Sequence, residues 1–195
     1  MQTLLQTLQD HDLGHLKAIA ELWGIDLPHG DPAPAASHLA QSMLRPDVAE
    51  EIIESLPQAA MEALQSIILH GGRIPLADMR REFGSIRRMG PGKRDREKPW
   101  RAPESSTETL WYRGLIATAF ADSPSGLREF VFIPTDLSPL LLTSTDSYAQ
   151  RLSRLPHCVR HRLKLSDKGA KPNRVHLKSI FFSLSSSLHS WGSLS

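Results

Sequence analysis

Between Leu56 and Pro134 the hydrophobic period changes from helical to extended, and the order of that change restricts the fold more than any other feature. "LPQAAMEALQSIILHGG" places Ala60, Met61, Leu64, Ile67 and Ile68 on one helix face, with Pro57 suited to the first turn and Gly71-Gly72 as the stop. "RIP" is a short extended piece. "LADMRREFG" predicts a second helix, with Leu76, Met79 and Phe83 inward and Arg80 and Arg81 outward. After a basic stretch, "SSTETLWYRG" predicts a third helix, opened by a capping box of Ser105 and Glu108 and closed at Gly114. Trp111 and Tyr112 are adjacent, so they point about 100° apart and only one is expected to be buried. "LIATAFA" and "EFVFIP" are then β-rich runs joined by the turn chemistry of "DSPSGLR". This order is that of a winged-helix domain, three helices followed by a β-hairpin wing.

The chain ahead of this region reads as a small helical unit, residues 1–56. In "HDLGHLKAIAELWG" Leu13, Leu16, Ile19, Ala20 and Trp23 keep helical spacing, Asp12 caps the start and Gly24 supplies a left-handed stop. "IDLPHGDPAPAAS" predicts a linker, and "SHLAQSML" and "PDVAEEIIESL" two short helices, the second with acids in its first turns. The expected class is therefore mainly α: the helical unit, a winged-helix domain over 57–142 with a basic insert at 84–104, and a basic, serine-rich, irregular tail over 143–195. Two readings of that tail stay open. It is either a disordered arm that adds affinity for polyanions or a truncated or frame-shifted end that does not fold with the rest.

Charge is segregated along the chain. Residues 1–72 carry −8, 73–101 carry +6, 102–150 carry −4 and 151–195 carry +8. Basic blocks attract polyanions and acidic ones repel them, so a nucleic-acid contact is expected from the second or fourth block. The single cysteine, Cys158, cannot form an internal disulfide, and no apolar run approaches the roughly 20 residues that span a bilayer. A cytoplasmic protein with neither signal peptide nor membrane contact is the expectation.

The run "LPQAAMEALQSIILHGGRIPLADMRREFG", with "LWYRGLI" and "EFVFIPTDL" after it, resembles the bacterial proteins that carry a domain similar to the N-terminal region of the XPB helicase. The resemblance covers about residues 13–140: an apolar helix ending in Gly-Gly-Arg, a helix ending in Phe-Gly, and a Gly-Leu pair leading into a hairpin that ends at proline. It implies a winged-helix-containing domain of a helicase-associated protein, without a motor. "MGPGKRD" is not a phosphate-cradling loop, because Gly92-Lys93 is followed by Arg94 and the position five before Gly92 is Arg87.

The basic stretch supplies the candidate site: Arg80, Arg81, Arg87, Arg88, Lys93, Arg94, Arg96, Lys98 and Arg101 as phosphate contacts, Pro91-Gly92 holding the loop open, and Trp100 to stack on a base or sugar. The competing reading is a solvated connector whose arginines pair with acids of the first block, Glu50, Glu51 and Glu54 among them, with Trp100 as a core anchor. The third helix offers Glu104, Glu108 and only Arg113, and the wing only Arg128 beside Asp122 and Glu129, so neither is expected to lead a DNA contact. His11 and His15, and His157, Cys158 and His161, fall short of the four ligands of a stable zinc site, and no catalytic motif is present. The expected function is non-enzymatic, cofactor-free binding of nucleic acid, DNA first, through the basic insert. The alternatives are a module that docks on an acidic protein partner, and a truncated fragment of a larger helicase-associated protein.

Overall fold

The computed structural model describes residues 2–123, 126–143 and 145, all within the unit that runs from Met1 to Arg154. Apart from Thr143 and Thr145, both helical, the expected tail lies outside the described residues, as do His157, Cys158 and His161.

Four short helices come first. They are α1 (Leu4–Gln9), α2 (Leu13–Trp23), α3 (Pro32–Met43) and α4 (Pro46–Glu54). Six residues do not hold a helix in water unaided, and α1 has no strong hydrophobic period to announce it. It is held by a capping box between Thr3 and Gln6, by the Asp136 carboxylate accepting from Leu4 N at 2.7 Å, and by Thr135 N donating to Gln2 O at 3.1 Å. The segment expected as a linker is half helix, because α3 starts at Pro32. Pro32 and Pro34 fall in the first turn, where a backbone N–H has no intrahelical acceptor to lose. Asp12 and Gly24 behave as read: Asp12 Oδ1 accepts from His15 N at 3.0 Å, and Gly24 has φ 64°.

Then come α5 (Gln58–Leu69), β1 (Arg73–Pro75), α6 (Leu76–Phe83), α7 (Pro91–Glu97), a 3-10 turn (Pro99–Arg101), α8 (Ser106–Tyr112), β2 (Ala117–Ser123) and β3 (Gly126–Phe132). The strands form one antiparallel sheet in the order β1-β3-β2, with Arg73 opposite Phe132 and Ala117 opposite the same Phe132. The stretch expected as an open loop contains α7. Pro91 begins that helix with Gly90 as its N-cap, and Lys98, in the left-handed region at φ 46°, ends it.

Apolar side chains on both sides of Leu56 belong to one buried cluster, among them Leu16, Ile19 and Met43 from the first helices and Leu64, Ile67, Leu110 and Val131 from the later elements. Trp23 joins the two regions directly, its indole N–H donating to Arg113 O at 2.7 Å. No helix of the described residues is long and apolar enough to cross a membrane.

Candidate functional site

The basic segment does not present all its cations to solvent, and the reason is a set of carboxylates distant in sequence. Glu108, in the first turn of α8, is 0% exposed. Its oxygens accept from Arg87 Nε and Nη2, both at 2.8 Å, and from the backbone N–H of Glu104 at 2.8 Å and of Arg87 at 3.2 Å. Half of the expected capping box therefore forms. Ser105 Oγ accepts from Glu108 N at 3.0 Å, but the Glu108 carboxylate turns to Arg87 instead of the Ser105 N–H. Arg87 also donates to Glu104 Oε1 at 2.9 Å and to Ala102 O at 3.0 Å, which binds the insert to the start of α8, and this hydrogen bonding raises its pKa. Removing Arg87 would leave a buried carboxylate unpaired, a change that costs about 3–5 kcal/mol.

Arg94 is engaged in the same way. It is buried, donates to Asp12 from Nη1 at 2.8 Å and Nη2 at 2.6 Å, and to Asp95 at 2.9 and 2.8 Å. The guanidinium holds the Asp12 carboxyl well below the usual carboxylate range. Trp100 is buried beside Ala18 and Tyr112, with Nε1 donating to Glu21 Oε2 at 3.1 Å, and Arg101 Nε donates to Glu21 Oε1 at 2.7 Å.

Three of the expected contact residues are thus engaged within the fold. Arg87, Arg94 and Trp100 are held by Glu108, Asp12 and Glu21, where Glu50, Glu51 and Glu54 had been the expected partners for the arginines. Glu108 presents no charge to a passing phosphate, and Arg113 is buried as well.

The remaining cations are exposed. Arg80, Arg88, Arg96 and Lys98 have no carboxylate partner among the described residues. Arg81 meets Asp78 at 3.1 Å, Lys93 meets Glu97 at 3.8 Å and Arg101 meets Glu21 at 2.7 Å, but these are solvent-facing pairs, worth little and readily exchanged for another anion.

Two of these exposed cations converge on an open cleft of about 480 Å³. Arg80 and Arg88 contribute to its wall alongside Trp111, and Thr118 and Glu129 enter it from the hairpin. Tyr112 is the buried member of the aromatic pair and Trp111 the half-buried one. Trp111 is held edge-on to the stacked rings of His11 and His15, at 5.7 and 4.3 Å between centroids. His15 is buried and its Nε2 has no hydrogen-bond partner, so burial pushes its pKa down to about 2. This pair of histidines supports an aromatic cluster. Among the described residues no three His, Cys, Asp or Glu side chains are placed to share a metal ion.

The hairpin carries what sequence reasoning missed. Phe120 and Leu127 are both 67% exposed. Phe120 pairs with Glu129 and Asp122 with Leu127, so by strand alternation Phe120 and Leu127 are diagonal neighbours on the sheet face that carries Thr118 and Glu129. Counting charge alone on the hairpin hid this apolar pair; pairing register was the signal that would have revealed it.

Comparison of the chain with known protein families, with curated proteins and with solved structures gives no match.

Proposed function

We propose that residues 57–142 form a winged-helix domain, related to the XPB-like N-terminal domains the sequence resembles, that binds nucleic acid without catalysing a reaction. The order of α5, β1, α6, α8, β2 and β3, with β1 beside β3, supports the winged-helix reading. DNA is the ligand we favour. The contact is made by the exposed cations of the insert and α6, and not by the third helix, where Glu108 and Arg113 are both buried. The observation that carries the proposal is that Arg80 and Arg88, neither in an ion pair among the described residues, line one cleft with Trp111. Phosphate contacts of this kind give affinity with little sequence discrimination.

The test is DNA binding at several salt concentrations by the intact chain and by an Arg80→Ala/Arg88→Ala variant. Each lost phosphate contact reduces the slope of log K against log salt by about 0.9, so the double variant is expected to lose roughly 1.8. Absence of binding at low salt, or an unchanged slope in the variant, overturns the proposal. In the first case the same cations are left for an acidic protein partner.

A further inference from the structure

The Arg80–Arg88–Trp111 cleft is concave, and the neighbouring hairpin carries two exposed apolar side chains on its strands. Both features fit poorly with a smooth duplex. About 480 Å³ lies in the range of roughly 300–1,000 Å³ usual for small-molecule sites, enough for one nucleotide. The wall also carries charges of both signs. Arg80 and Arg88 stand for the phosphates, while Glu129, on the hairpin, repels them and offers an acceptor to the amino group of a base edge. Trp111 supplies aromatic surface in the same wall. Phosphates at Arg80 and Arg88 and a base at Trp111 and Glu129 is the pairing these side chains favour.

On the same sheet face Phe120 stands opposite Glu129, and Leu127 opposite Asp122 nearer the turn. An exposed phenyl ring and an isobutyl group on a two-stranded ribbon add nothing to this core. Apolar side chains of this size are used by minor-groove binders to part stacked base steps.

We propose that this cleft takes a single unpaired nucleotide of a DNA strand, stacked on Trp111 with its flanking phosphates at Arg80 and Arg88, while Phe120 and Leu127 rest against the end of the adjoining duplex. The ligand is then a single-strand to double-strand junction and not uniform duplex. This rests on the DNA-binding reading and specifies its substrate class.

Fluorescence anisotropy with two labelled DNAs of equal phosphate number, a blunt duplex and a shorter duplex carrying a single-stranded overhang, separates the two ideas. The intact chain is expected to bind the overhang DNA about tenfold more tightly, since stacking one base on an aromatic side chain has an effect of that order. Phe120→Ser/Leu127→Ser, which changes only exposed side chains, is expected to reduce the preference several-fold while leaving the salt dependence on blunt duplex unchanged. Trp111→Leu is expected to reduce it as well. Equal, salt-dependent affinity for both DNAs, or full preference retained by either variant, overturns the junction proposal while DNA binding stands. Binding of neither DNA at low salt removes both.

Discussion

His15 is the residue whose surroundings depart furthest from what its side chain prefers. It is enclosed by His11, Trp111 and Tyr112, and the charged groups acting on it are Asp12 and Arg94. Burial is the main cause of its lowered pKa, with His11 and Arg94 adding to it and Asp12 opposing. The folded state therefore refuses a proton down to about pH 2, whereas the unfolded chain accepts one near its ordinary value of 6.5. Stability from this group is complete above pH 6.5 and falls as pH drops below it, because the unfolded state binds more protons. Between pH 7 and pH 5 the share of His15 is on the order of 2 kcal/mol, and His11, whose pKa is also lowered by burial, adds to it with the same sign. Urea unfolding at the two pH values should show this loss, and His15→Phe, which keeps a ring against Tyr112, should flatten it. An unchanged pH dependence in that variant would mean that the imidazole is not buried neutral.

At the scale of elements, the contact between α2 and α7 turns on a glycine. Gly14 is in the first turn of α2, and a Cβ there would run into Arg94 Nη2 and come within 2.8 Å of Asp95 Oδ2. Alanine is the better helix former by about 1 kcal/mol, so on propensity alone Gly14→Ala should stabilise. Arg94 cannot yield freely, because it is held by Asp12 and Asp95 at 2.6–2.9 Å. Gly14→Ala is therefore expected to lower stability in the native background and to raise it, by up to about 1 kcal/mol, when Arg94 has already been replaced by alanine. A double-mutant cycle by denaturant titration reads this change of sign. If the glycine substitution has the same effect in both backgrounds, α7 is not locked onto α2 in this way.

In the molecule as a whole, residues 1–56 and the elements after Leu56 share one core. Gly114, just after α8 and left-handed at φ 65°, lies against Met43 and Ile19, and a Cβ there would meet Met43 Cε at 3.2 Å. Trp23 is bound to the Arg113 carbonyl, and Asp12 and Glu21 supply the counter-charges for Arg94 and Arg101 and the acceptor for the Trp100 indole. A chain starting at Leu56 would lose these partners together with the apolar cover of Leu64, Ile67 and Leu110. We expect it to bind a hydrophobic dye, to lack near-UV circular dichroism and to unfold without a cooperative transition. A cooperative transition with native near-UV signal would show that the two regions fold independently.

The period of the apolar residues and the placement of glycine and proline determined much by themselves: the α5 face, the Gly71-Gly72 stop, the α2 cap and stop, the hairpin, and the burial of only one of Trp111 and Tyr112. These are local properties, set by sterics and hydrogen bonds within one or two turns. Elements without a local signal were not legible. α1 depends on Asp136, 132 residues away, and α7 depends on Asp12, 82 residues away. The site divided in the same way. That the segment is rich in arginine is written in the sequence, but whether a given arginine is free depends on the carboxylate the fold brings to it. Arg87 and Arg94 look the same in sequence as Arg80 and Arg88. All four line one cleft, and only the tertiary structure, by burying Glu108 against Arg87 and pairing Asp12 with Arg94, tied up the first two and left the second two without an ion pair among the described residues, because an ion pair is a matter of distance in space.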